Sequence, residues 1–196
     1  FKVIEKALID SEHEVAAVVT QPDKPKGRGK AMQFTPVKEA AAEAGIPVLQ
    51  PRRLRDPGVF EELEAYQPDA IVVVAFGQLI PKNILDLPKY GCVNVHASLL
   101  PKYRGVAPIQ WAVIDGEEKA GVTTMLMNEG LDTGDILLQE EVVLAEDETG
   151  GSLFDKLSDV GAKLLIRTLE GLREGTVTPA AQPAQSTTAY EAMLTK

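Results

Sequence analysis

The sequence predicts an α/β fold, a mainly parallel twisted sheet with helices on both faces. Three observations predict it. Strand-like and helix-like segments alternate from the amino end through Leu87, the order in which crossover helices join parallel strands. The run AIVVVA at residues 70–75 is apolar throughout, with no alternation, as a strand covered on both faces must be. Pro, Gly and capping residues punctuate the segments at the short intervals of a compact domain.

Each element follows from local chemistry. Residues 1–11 place Phe1, Ile4, Ala7 and Leu8 at the spacing of one helical face. Residues 14–20 (EVAAVVT) are β-branched and apolar and read as a buried strand. Residues 21–34, rich in Pro, Gly and Lys, read as a loop. Thr35 is a helix cap with Pro36 in the first turn, and Gly45 ends that helix. A short strand at 47–49 precedes a helix opened by Asp56 and Pro57 that runs to about Tyr66. After the 70–75 strand come a short helix at 81–87, a strand at 91–96 and a helix at 108–115. Strands at 122–127 and 136–143 flank the GLDTG loop of residues 130–134. The longest amphipathic helix spans 152–174, with Leu153, Leu157, Val160, Leu164 and Leu165 on one side. Beyond Gly175 the Thr/Pro/Ala/Gln-rich chain reads as a tail or linker.

Composition narrows the function classes. The 196 residues suit one domain with a small remainder, and 44% hydrophobic with 25% charged residues is an ordinary globular balance. The longest apolar runs are too short to cross a bilayer. Cys92 is the single cysteine, so no internal disulfide forms. It lies inside a strand and reads as a small buried hydrophobe. A net charge of −9 excludes nucleic-acid binding through the overall field. Any such contact must use a local basic patch, and PDKPKGRGK at residues 22–30 supplies one in Lys24, Lys26, Arg28 and Lys30. It is not a phosphate-binding Walker loop, because no Gly-Lys-Ser/Thr follows the required spacing.

The chemistry concentrates in VNVHASLLPKYRG (93–105) and GLDTG (130–134). Alternation along a strand sends Asn94 and His96 to one face and Val93 and Val95 to the other. Such a strand offers two polar groups to a ligand with valines packed behind. Asn94, His96 and Asp132 are the side chains needed to polarise a carbonyl, move a proton and hold an imidazole in place. Asp132 is expected within hydrogen-bond reach of His96, directly or through one water. No Ser, Cys or Lys stands in nucleophile context beside them, which favours direct transfer of an acyl or formyl group over a covalent intermediate. Ser98, Leu99, Leu100 and Pro101 leave the strand as a rigid turn. They read either as core filling or as a main-chain platform for a flat heterocycle, with two exposed leucines.

Together these segments, with TPVKEAA, GIPVLQP, DAIVVVAFGQLIP, RGVAPIQWA and GVTTMLMNEGLDTGDIL, resemble the formyltransferases that use 10-formyltetrahydrofolate, over nearly the whole chain. The resemblance implies a Rossmann-like sheet, 10-formyltetrahydrofolate as co-substrate and no metal. It matches Asn94, His96 and Asp132 to the family's catalytic residues and Ser98, Leu99, Leu100 and Pro101 to its folate-binding segment. The PDKPKGRGK loop, TPVK and RGVAPIQ point within the family to the branch acting on initiator methionyl-tRNA. There Lys24, Lys26, Arg28 and Lys30 would contact the tRNA of a cytoplasmic, monomeric enzyme of translation initiation. The alternatives are a formyltransferase for a small amine, such as an amino sugar or glycinamide ribonucleotide, and a binding module without catalysis. The resemblance further implies that 1–175 is a catalytic domain without the family's first strand, leaving two strand edges unpaired, and that 176–196 is a linker. Asn128 stands where the family more often has an acidic residue.

Overall fold

A computed structural model describes residues 2–28, 31–186 and 188. Helix α1 (Lys2–Ile9) leads to β1 (Val18–Val19), β2 (Lys24–Lys26) and β3 (Ala31–Gln33). Next come α2 (Pro36–Glu43), β4 (Val48–Leu49), α3 (Val59–Ala65), β5 (Ile71–Val73), α4 (Lys82–Leu85) and β6 (Cys92–His96). The chain continues through α5 (Pro108–Ile114), β7 (Lys119–Leu126), β8 (Ile136–Val143) and α6 (Gly150–Glu174).

Outside the β2–β3 segment the strands up to His96 pair in parallel, as the alternation predicts: β1 pairs with β4 and β5 with β6. The chain then reverses. β7 runs antiparallel to β6, and β8 antiparallel to β7, so the four-stranded sheet has the order β5-β6-β7-β8. Among the described residues β1 pairs only with β4 and β5 only with β6. A cavity of about 720 Å³ lies between them, lined by Val18, Val19 and residues 71–74 of β5 and its exit.

Segment 21–34 differs from its reading as a loop. Its ends form the antiparallel hairpin β2–β3, with Lys24 opposite Gln33 and Pro25 opposite Met32, and Gly27 in the turn at φ 64°. A strand of sequence KPK carries no apolar alternation, so nothing local marks it. The hairpin base is tied from outside, where the Lys38 ammonium and the Gln50 amide both donate to Asp23. Strand β1 is likewise shorter than the apolar run that predicts it.

The helices end where their caps dictate. Thr35 accepts from Lys38 N to start α2. Thr149 and Ser152 form a reciprocal capping box that starts α6 two residues early, and Gly175 closes it at φ 74°. Leu153, Leu164 and Leu165 of α6 are fully buried, each burial stabilising by roughly 1.5–3 kcal/mol. α6 and α1 cover the face of β6 that carries Val93 and Val95. The approach is close enough that a Cβ on Gly161 would lie 3.3 Å from Val95. α3 and α4 pack through Val59 and Ile84 on Val19 and Ile71. With one face of β6 buried under α6, Asn94 and His96 are committed to the other.

Candidate active site

His96 ends β6 and is nearly fully buried. Its Nε2 lies 2.9 Å from the Tyr103 carbonyl oxygen. A carbonyl only accepts, so Nε2 carries a hydrogen and, in the neutral ring, Nδ1 is left with the lone pair. That Nδ1 faces the Asp132 carboxylate at 3.8 Å. The separation is an ion-pair distance, longer than a hydrogen bond. The Tyr103 carbonyl, and not Asp132, is the group that fixes the tautomer. Asp132 thus faces the ring nitrogen that carries the lone pair.

The Asp132 loop is built to hold that position. Asp132 itself has φ 53°, a left-handed conformation that Asp tolerates better than most residues. Its Oδ2 accepts from Gly105 N at 2.8 Å. A Cβ on Gly134 would fall 1.6 Å from the Leu126 carbonyl oxygen, so only glycine fits there. Asn128 Oδ1 accepts from Gly130 N and from Thr133 Oγ1, both at 2.9 Å. Both groups need an acceptor, and an amide oxygen serves as a carboxylate would, so the departure at Asn128 leaves the loop intact.

Asn94 lies two residues before His96 on the same face of β6. Its Oδ1 is buried with no hydrogen-bond partner among the described residues. A half-turn exchanges the two ends of an amide, so this position offers a substrate either an acceptor or an N–H donor. Cys92, at the start of β6, has its thiol pushed up to about 12, chiefly by burial, and is chemically inert.

Ser98, Leu99, Leu100 and Pro101 depart from one part of their reading. Leu100 is buried rather than exposed. Its N–H donates to Thr123 Oγ1 at 3.1 Å, and its carbonyl accepts from the Gln139 amide at 2.9 Å. Thr123 Oγ1 in turn donates to the Ser98 carbonyl at 2.7 Å. The Ser98 carbonyl and both main-chain groups of Leu100 are therefore bonded to β7 and β8, which makes this part of the turn a rigid wall. Ser98 and Leu99 also line a cavity of about 530 Å³ beside Lys102, Asp115 and Glu117. There the Tyr103 hydroxyl donates to both carboxylates, and burial first, then these bonds, push the phenol up.

In the basic hairpin Lys24 and Arg28 are exposed, Lys26 lies in β2, and Lys30 lies outside the described residues. Met32 and Phe34 beside them are also exposed, at 56% and 47%. Lys38 stacks over Phe34 at 4.0 Å and pairs with Asp23. Basic side chains interleaved with apolar and aromatic ones suit a nucleic-acid surface.

Sequence reasoning missed Arg104, Thr123, Gln139 and Gln182. Arg104 is 2% exposed and bonded to the tail, which is no detached linker. Ala180 forms an antiparallel bridge with Ile136, and Gln182 donates to the carbonyls of Asp132 and Gly134. Among the described residues no cluster of His, Cys, Asp and Glu could hold a metal ion, and no helix is long and apolar enough to cross a membrane.

A model of the formyl transferase family matches residues 1–169. The methionyl-tRNA formyltransferase of Lachnospira eligens is 64% identical over 191 residues, 97% of this chain and 60% of that protein. The enzyme of the same name from Agathobacter rectalis is 58% identical over 191 residues, 97% of this chain and 61% of that protein. The chain thus spans about 60% of the length of these relatives. Phosphoribosylglycinamide formyltransferase from Bacillus halodurans superposes with a TM-score of 0.74 at 28% identity, covering 86% of this chain and 89% of that one. Glycinamide ribonucleotide transformylase 1 from Symbiobacterium toebii has a TM-score of 0.75 at 22% identity, covering 89% and 84%, and shows the shared fold.

Proposed function

The chain belongs to the formyl transferase family, and we propose that it transfers a formyl group from 10-formyltetrahydrofolate to the amino group of methionyl initiator tRNA. The observation that carries the chemistry is the placement of His96 Nδ1 opposite Asp132, with Asn94 two residues before it on the same face. Asn94, its amide turned to present N–H, donates to the formyl oxygen as it becomes negative. His96 Nδ1 accepts the proton of the attacking amine, and Asp132 stabilises the imidazolium formed. The new C–N bond forms as the bond to the folate nitrogen breaks, and His96 returns the proton to that departing nitrogen. Ser98, Leu99, Leu100 and Pro101 supply the rigid wall against which the folate is held.

The acceptor is read from the hairpin. Lys24 and Arg28, exposed on β2–β3 beside Met32 and Phe34, suit the backbone of a tRNA, and Lys26 and Lys30 add to the same charge run. The names of the relatives at 58–64% identity agree with that acceptor. Residues 1–175 form the catalytic unit in this reading, and the enzyme works in the cytoplasm, where translation starts.

The test is formylation by the complete gene product of charged initiator tRNA against glycinamide ribonucleotide and an amino sugar, across salt concentrations. Transfer to tRNA with a steep salt dependence is expected. In Arg28→Ala the log–log salt slope should fall by about 0.9, the loss of one phosphate contact. Transfer only to a small amine, with no salt dependence, would overturn the assignment.

A further inference from the structure

The tail encloses the site from outside. Ala180 N and O bond Ile136 O and N at 2.9 and 2.8 Å, seating the segment against the start of β8. Two residues on, Gln182 turns inward between exposed neighbours Ala181 and Pro183. Its Nε2 donates to the Asp132 carbonyl at 3.0 Å and the Gly134 carbonyl at 2.7 Å. Its Oε1 accepts from Arg104 Nε at 3.3 Å and Nη2 at 3.0 Å, and Nη2 also donates to the Pro183 carbonyl at 2.9 Å.

The orientation of that amide is determined. A guanidinium has only donors, so it fixes Oε1 toward itself and Nε2 toward the two carbonyls, which only accept. Arg104 is 2% exposed, so water does not compete for it. A few residues further along, Thr188 Oγ1 accepts from Tyr103 N at 2.9 Å, and Ser186 Oγ donates to the Pro101 carbonyl. His96 stands between the Tyr103 carbonyl and Asp132. The tail therefore grips the residues on both sides of the imidazole.

We propose that Gln182, oriented by Arg104, is a positioning residue that sets the separation of His96 and Asp132 through the backbone of the Asp132 loop. It touches no reacting atom. Its two bonds hold the backbone of the left-handed Asp132 and the tightly packed Gly134, while Gly105 N holds the Asp132 carboxylate. The inference rests on the proposed chemistry of His96 and Asp132 for its kinetic consequence, but not for its geometric one.

The test uses two substitutions in the complete gene product. Gln182→Met keeps the length and removes both donors and the acceptor. Gln182→Glu keeps an acceptor for Arg104, and so the attachment of the tail, but turns an anionic oxygen toward two carbonyls. Formyl transfer is measured first with wild-type protein, then with both variants, and the imidazole carbons of His96 and His13 are followed by NMR. These are the two histidines of the chain. With the loop released, turnover should fall roughly 10–100-fold, as a misplaced catalytic group costs, while KM for folate and for acceptor stays within about threefold. The His96 resonance should move and the His13 resonance should not. Turnover within threefold of wild type in the Glu variant, or a His96 resonance that stays in place in both, overturns the proposal. A wild type without formyl transfer to any acceptor would refute the functional reading instead, and the NMR result would still decide the clamp.

Discussion

Replacing Gly134 by Ala should disable the site with only modest damage to the fold. An added Cβ would sit 1.6 Å from the Leu126 carbonyl oxygen and 2.8 Å from its carbon. Real Cβ contacts do not fall below 3.0 Å, so the loop must retreat by at least about 1.4 Å. The other side cannot yield cheaply. Leu126 N is bonded to the Asp135 carbonyl at 2.9 Å and Met127 N to the Cys92 carbonyl at 2.8 Å, which pins the end of β7. The displacement falls on residues 130–134, where Asp132 Oδ2 is held by Gly105 N at 2.8 Å and the Gly134 carbonyl by Gln182 at 2.7 Å. A shift of that size at a catalytic group costs on the order of 10²-fold in turnover. Overpacking of this kind destabilises by about 1–3 kcal/mol. The control is Gly151→Ala in the first turn of α6, whose added Cβ would meet nothing closer than Thr149 Oγ1 at 3.8 Å. It should stabilise by roughly 0.5–1 kcal/mol and leave turnover alone. The assay is single-turnover formyl transfer at saturating folate, with urea denaturation of each variant. Gly134→Ala with turnover within threefold of wild type would refute the reasoning, because the position of Asp132 would then not matter.

Two further outcomes follow from other parts of the molecule. Asn94→Ala should cut turnover by roughly 10²–10³-fold, the usual loss for one oxyanion donor, with folate affinity in equilibrium titration little changed; near-normal turnover would make Asn94 a structural residue. Glu5 on α1 has both carboxylate oxygens buried without a hydrogen-bond partner among the described residues, and burial, partly offset by Lys2, raises it from 4.5 to about 7. The folded state then holds a proton the unfolded state has lost, so Glu5 lowers stability as pH rises from 4.5 toward 7. Glu5→Gln should be near neutral at pH 5 and stabilising by on the order of 1 kcal/mol at pH 8, after discounting for solvent screening; a denaturation midpoint that keeps the wild-type pH dependence would show that Glu5 is not the cause.

The sequence was most informative where a signal is local. Thr35, Pro36 and Gly45 mark α2, and the leucine spacing marks α6, because caps and periodicity act within a few residues. The pairing of Asn94 with His96 was legible from strand alternation alone. What escaped depends on distant partners. The hairpin β2–β3 has a polar sequence and is anchored by Lys38 and Gln50 from other elements. The tautomer of His96 is set by a carbonyl, which carries no residue identity to read. Gln182 lies 50 positions beyond Asp132, in a segment whose composition resembles any linker. Arg104 lies in the segment 93–105, but only burial distinguishes it from a surface arginine.

The most direct test of the mechanism is Asp132→Asn, which keeps the shape of the side chain and removes its charge. Its carboxylate faces His96 Nδ1 at 3.8 Å, so the role assigned to it is electrostatic stabilisation of the imidazolium. Formyl transfer to methionyl initiator tRNA, measured in a single turnover with folate and tRNA both saturating, should fall by at least about 10²-fold, with the variant as stable to urea as wild type. Transfer at the wild-type rate by a folded Asp132→Asn protein would contradict the account.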